Sequence, residues 1–397
     1  MPRRVLSSGR PVQPEIRVTA RTVPGRIAGM TAQFLPGLRL AEEYHAEVVR
    51  PLLYETFPGL PYSAARLGSG SEVLGFDSER STDHDWGPRL QIFLTAGDVK
   101  SHAADIIAMF ANRIPASFRG YPTAFPRSGE PGGEVRHWVE VAGLGAWLTD
   151  RLGFDPRQPA TLLDWLATPT QRLAEITAGG VFHDGLGELS PARTRLAWYP
   201  RDMWLYVLAC QWQRISQEEA FVGRCAEAGD DLGSAVVTAR LARDLMRLCL
   251  LMHRSYPPYS KWLGTAFGRL RGAGRVAAPL TAALSASSWR GRQRHLCQAY
   301  EATAAWHNEL GVTEPLDIRT RRFWDRPYQV LNAGRFTAAL LAEVADPRIR
   351  RLPSTGASDQ FIDSTDALEN IQFLRDTIAA ALRPEDRDFA CGGPGAG

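Results

Sequence analysis

Lysine is nearly absent from this chain of 397 residues: there are two, Lys100 and Lys261, and every other cationic side chain is arginine or histidine. Such a bias reflects a GC-rich coding background, so each surviving lysine invites an explanation. Cysteine is scarce too. Cys210, Cys225, Cys249, Cys297 and Cys391 are odd in number and form no Cys-x-x-Cys pair. That excludes a disulfide framework or a zinc cluster and implies a reducing, cytoplasmic compartment. No apolar run is long enough to span a bilayer. A large charge excess is also missing. The formal net charge of +3 is too small for bulk attraction to DNA or a membrane surface. The hydrophobic fraction of 44% is ordinary, so a sizeable core is expected.

Four regions follow from the pattern along the chain. Residues 1–34 are rich in Pro, Arg and Gly, lack an apolar signal core and read as a flexible arm. Residues 35–157 alternate helical and strand-like patterns. Leu40, Tyr44, Val48, Leu52 and Leu53 mark one face of a helix over 38–57. Strands are expected over 62–67, 90–95 and 135–141, and a helix over 99–112 with Ile106, Ile107 and Phe110 as its apolar face. Residues 158–382 read as almost wholly helical, and 383–397 as a disordered tail. The fold class is therefore α+β: a small mixed sheet with helices, followed by an all-α helical domain.

The chemistry concentrates in Gly68-Ser69-Gly70-Ser71-Glu72-Val73-Leu74-Gly75, followed by Asp83-His84-Asp85-Trp86. A Gly/Ser turn can wrap a phosphate with backbone N–H groups. Two acids one residue apart on a strand present both carboxylates to one side and can share a divalent metal. Glu140, inside Val139-Glu140-Val141, is the best third carboxylate, with Glu134 as its rival. In this order the groups suit nucleotidyl transfer, which needs a neutralised triphosphate, an aligned hydroxyl and a route for its proton. Two Mg²⁺ ions roughly 3.5–4 Å apart would clamp the attacking and leaving oxygens.

On these residues the chain resembles the DNA polymerase beta-like nucleotidyltransferase superfamily. The resemblance covers about residues 62–142. It implies that Gly70 and Ser71 hold the triphosphate, expected to be ATP, and that Asp83, Asp85 and Glu140 bind the metals and act in catalysis. Asp-His-Asp-Trp departs from the usual aliphatics around the acidic pair. It looks like a bacterial family of unknown function, as do Ala197-Trp198-Tyr199-Pro200-Arg201-Asp202 and Tyr256-Pro257-Pro258-Tyr259-Ser260-Lys261-Trp262.

Other candidates compete with plainer roles. Lys261 suits a triphosphate as a compact point charge, against a surface lysine. Arg80 and Arg89 flank the acids. Tyr256 and Tyr259 suit base stacking or core packing, and Glu219 and Asp230 an acceptor contact or a helix cap. Trp204 and Trp212 fit the core. The expected reaction is transfer of a nucleoside monophosphate to a hydroxyl of a small acceptor, such as an aminoglycoside-like sugar. A protein or tRNA acceptor is the alternative, and a non-catalytic nucleotide-binding regulator the third reading.

Overall fold

A computed structural model describes residues 34–83, 85–126 and 135–391. The arm before Phe34, His84, Glu134 and residues 392–397 lie outside them. The first helical stretch comprises α1 (Gly37–Tyr44), a π turn (His45–Val49) and α2 (Arg50–Thr56). Pro51 has no N–H to donate, and its ring crowds the carbonyl four residues back. The π turn absorbs this, with the Arg50 N–H reaching back to the His45 carbonyl. It also advances the apolar face by one residue. Leu40, Tyr44, Val49 and Leu53 are buried, whereas Val48 and Leu52 are only half-buried.

Seven strands follow in the sheet-forming part: β1 (Ser63–Arg66), β2 (Arg89–Leu94), β3 (Ser117–Phe118), β4 (Tyr121–Pro122), β5 (Ala124–Phe125), β6 (Arg136–Gly143) and β7 (Gly180–Asp184). Five of them make a mixed sheet in the order β5-β6-β2-β1-β7, in which only β2 and β6 run parallel. The fold is thus α+β. Helix α3 (Ala96–Arg113) begins at Thr95, whose side chain accepts from the Asp98 N–H. Its buried face is Ile106, Met109 and Phe110, whereas Ile107 faces out. β7 adds a strand to the stretch after residue 158, which reads in sequence as almost wholly helical. Its five residues alternate too weakly to announce a strand, but β1 offers an edge that they fill.

The sheet separates two apolar clusters. Ala64, Leu90, Ile92, Leu94 and Val139 pack with the α1–α3 side. Ala65, Leu67 and Phe93 join the much larger cluster of the helical part. That part runs through α4 (Leu144–Leu152), α5 (Leu162–Ala167), α6 (Thr170–Thr177), α7 (Leu189–Arg195), α8 (Arg201–Glu218), α9 (Phe221–Glu227), α10 (Asp231–Met252), α11 (Ser260–Gly268), α12 (Gly274–Ser285), α13 (Trp289–Glu309) and α14 (Gly334–Ala342). Helix α8 lies at its centre and is buried almost all round. Trp204 donates to the Leu251 carbonyl at 2.8 Å, and Trp212 stacks on Phe336 at 4.4 Å. Both tryptophans serve the core. All five cysteines are free. No helix among the described residues is long and apolar enough to cross a membrane.

Residues 383–391 depart from the disorder expected of 383–397. Pro384–Arg387 is a helical turn whose Asp386 is buried against Arg351. Beyond it, the Leu162 N–H donates to the Phe389 carbonyl and the Cys391 N–H to the Ala160 carbonyl. The tail's Gly/Pro composition masked the buried Asp386 and the backbone hydrogen bonds at Phe389 and Cys391 that anchor its first half.

Among the described residues two imidazoles are buried. His45 sits in the π turn, 3.2 Å from the Tyr62 hydroxyl. His307 accepts from the Trp212 indole at Nδ1, which leaves Nε2 to donate to Thr313. Burial pushes both down to about 4, with His183 and Arg50 adding to the effect at His45. A histidine whose folded value lies below its unfolded value of about 6.5 favours the neutral folded state. Its contribution is complete above pH 6.5 and is lost as pH falls towards 4, by about 3 kcal/mol per residue. Urea midpoints measured across that window should fall steeply, and less so in a His45→Gln/His307→Gln variant. Equal slopes for the two proteins would refute the assignment.

Candidate functional site

β1 carries the chain into the Gly68–Gly75 turn. Gly68, Gly70 and Gly75 have φ of +83°, +146° and +66°, values that disfavour a side chain. The turn is anchored at both ends. The Gly68 N–H donates to the Glu175 carbonyl of α6 at 2.9 Å, and the Gly179 N–H donates to the Val73 carbonyl at 2.9 Å. Internally, the Phe76 N–H closes on the Ser71 carbonyl at 2.8 Å.

A buried charge cluster lies against Gly70. Arg66 and Arg89 both donate to Glu72 Oε1, with closest contacts of 2.7 and 2.6 Å, and all three side chains are nearly inaccessible. Arg66 also donates to the Leu67 and Ser69 carbonyls, bracing the turn from below. A Cβ at Gly70 would lie 2.6–2.7 Å from Arg66 Nη2, Glu72 Oε2 and Arg89 Nη2, so glycine is what lets the guanidiniums reach the backbone. Burial pushes the Glu72 carboxyl up, but Arg66 and Arg89 draw it below its ordinary value. Arg89 falls to about 10, chiefly through burial and then through Arg66, against the opposing pull of Glu72 and Asp85. Two guanidiniums and one carboxylate leave a net positive charge beneath the turn, which suits an anion above it.

The acidic pair is not on a strand. Asp83 closes a 3₁₀ turn (Glu79–Asp83) and is exposed, while Asp85 is half-buried at φ +45°. Pro88 cannot donate to a sheet ladder, so β2 starts after it, at Arg89. Trp86 is buried and donates to Asp77 Oδ2 at 3.2 Å, which draws the chain out of line before the strand. The same-face argument from alternation therefore does not apply to Asp83 and Asp85. His84 lies outside the described residues.

Glu140 is on β6 as expected, in register beside Gln91 of β2. It accepts from the Trp147 indole at 3.1 Å and from Gln91 at 3.4 Å. Gln91 in turn accepts from the Leu67 N–H at 3.0 Å and donates to the Leu67 carbonyl. Two polar residues of β2 thus join the three parts. Gln91 links the turn to Glu140, and Arg89 links the turn to the field of Asp85. Among the described residues no three carboxylate, imidazole or thiolate groups gather into a metal cluster.

Lys261 is exposed on α11, its ammonium 4.9 Å from the Trp262 ring centre. Trp262 lies 5.3 Å from Phe76, and the Arg269 guanidinium stands 4.4 Å from the centre of the same Phe76 ring. Helix α11 therefore reaches the end of the turn. Tyr256 is a core residue that donates to the Leu196 carbonyl at 2.9 Å, while the Tyr259 ring is exposed. Arg80 is exposed in the 3₁₀ turn. Asp230 caps α10 by accepting from the Gly233 N–H at 2.7 Å. Glu219 is neither solvated nor in a cleft: it is buried and accepts from the Leu331, Asn332 and Ala333 N–H groups. Sequence reasoning missed Arg66, Glu72 and Gln91. The available signal was polarity at the end of β1 for Arg66 and in the middle of the apolar β2 for Gln91, and an acid inside the Gly/Ser turn for Glu72.

A family model described as a domain of unknown function (DUF4037) matches residues 165–263. That span contains both the 197–202 and the 256–262 stretches. No curated protein matches the chain. Among solved structures, the chain is similar to a nucleotidyltransferase-like protein from Exiguobacterium sibiricum 255-15, at 13% identity over 78% of this chain and 91% of that one, with a TM-score of 0.28. A likeness at that TM-score carries no argument about the site.

Proposed function

We propose that the chain is a nucleotidyltransferase that moves a nucleoside monophosphate from ATP to a hydroxyl of a small acceptor. The observation that carries this reading is the role of β2, whose Arg89 and Gln91 connect the Gly/Ser turn with Asp85 and Glu140. Gly70 and Ser71 bear on the phosphates, and the Arg66–Arg89 pair offsets their charge. The acceptor oxygen attacks the α-phosphorus, the α–β anhydride bond breaks and pyrophosphate leaves. Glu140, exposed beside the turn, takes the hydroxyl proton. Dependence on Mg²⁺ belongs to this reading through Asp83 and Asp85. Among the described residues the carboxylates do not form a three-ligand cluster.

Transfer of label from α-labelled triphosphates to a cell extract tests the reading. Asp83→Asn/Asp85→Asn should lower labelled product by about 100-fold or more with an unchanged unfolding midpoint. Undiminished transfer by that variant would remove the acids from the reaction. A labelled protein or tRNA would replace the small acceptor.

A further inference from the structure

A cavity of about 570 Å³ opens where the end of the turn meets the helical part, a size suited to a small organic ligand. Leu74, in the last part of the turn, and Phe76, just after it, form one wall, and Ala174, Thr177 and Ala178 of the α6 end form another. The same α6 end anchors the turn through the Glu175 carbonyl and the Gly179 N–H, so cavity and turn share a wall.

The lining chemistry is one-sided. Arg193 and Arg254 supply two positive charges, Ser190, Thr194 and Ser255 supply hydroxyls, and no acid among the described residues lines the cavity. Arg193 is committed to the carbonyls of Ile176, Thr177 and Ala178, which fixes its charge at the α6 C-terminus. Arg254 is different. It leaves α10 at φ +51° and rests on the Trp204 ring at 4.6 Å, exposed and pre-oriented at the mouth. A polycation would meet repulsion here and no counter-charge.

We propose that this cavity is the acceptor subsite and takes a hydroxyl-rich small molecule carrying an anionic group, rather than a cationic aminoglycoside. Its role as acceptor site rests on the nucleotidyltransferase reading, but its ligand preference does not. Calorimetric titration separates the two. The probes are a hexose 6-phosphate, the neutral hexose, spermine and ATP. The variants are Arg254→Gln and Ala197→Trp, the latter filling the cavity from an exposed position.

The hexose 6-phosphate should bind most tightly of the three acceptor probes. Its affinity should drop at least about tenfold in Arg254→Gln, and binding should vanish in Ala197→Trp, while both variants keep wild-type affinity for ATP. Spermine binding as tightly as the hexose phosphate, or an Arg254→Gln change below about twofold, overturns the proposal. Arg254-dependent binding of the hexose phosphate by a protein that does not bind ATP would retire the acceptor role together with the enzyme reading. The anion preference would stand.

Discussion

Replacing Glu72 with alanine should destabilise the protein by about 3–5 kcal/mol, the usual cost of leaving buried charge uncompensated. Glu72 is the carboxylate against which Arg66 and Arg89 both rest, at 2.7 and 2.6 Å. Without it, two guanidiniums face each other in a site with little access to water. They must separate, draw in solvent or abandon the Leu67 and Ser69 carbonyls that Arg66 holds. Each route loosens the turn at Gly70. Urea unfolding and ATP titration should therefore fail together, and Glu72→Gln should fall between wild type and alanine because it keeps a hydrogen-bond acceptor. The effect has a pH signature of the opposite chemical origin to that of the histidines. Because the folded Glu72 carboxyl lies below its ordinary value, its contribution is present at neutral pH and is lost as pH falls below the carboxylate range. An alanine variant within about 1 kcal/mol of wild type would show that the arginines do not depend on Glu72.

Gly179→Ala should be comparably damaging, by at least about 3 kcal/mol. Gly179 joins α6 to β7 at φ +73°, and a Cβ there would overlap the Arg66 carbonyl oxygen. No rotamer can relieve the clash, because both partners are fixed to backbone. The strand end carrying Arg66 has to move, or the Gly179 N–H must leave the Val73 carbonyl. Gly187→Ala is the matched control. It has a similar φ of +69°, with no atom of the described residues within 4 Å of the added Cβ. It should therefore show only the conformational cost, about 1 kcal/mol. Equal melting losses for the two variants would mean that the close approach to β1 is unimportant.

Much of the sheet was legible from alternation and apolar runs, because β1, β2 and β6 are bounded by turn residues and carry apolar cores. The turn, and Glu140 at its position on β6, were legible for the same reason. The conformation of the acidic pair was not. Alternation assumes a strand, and the strand is cut short by Pro88 and by the burial of Trp86, a tertiary contact invisible in local spacing. Glu72 was in plain view inside the motif, but its importance depends on Arg66 and Arg89 arriving from two different strands. Glu219 was misread for a related reason: the three N–H groups that justify burying it lie more than a hundred residues away.

The placement of β7 has a consequence for synthesis. β1 and its partner β2 are close in sequence, but the other neighbour of β1 contributes Asp184, 121 residues after the Ser63 hydroxyl that donates to it. A nascent chain therefore displays an open strand edge for as long as it takes to translate α3 through α6. Gly179, which locks the glycine turn, arrives in the same late stretch of chain.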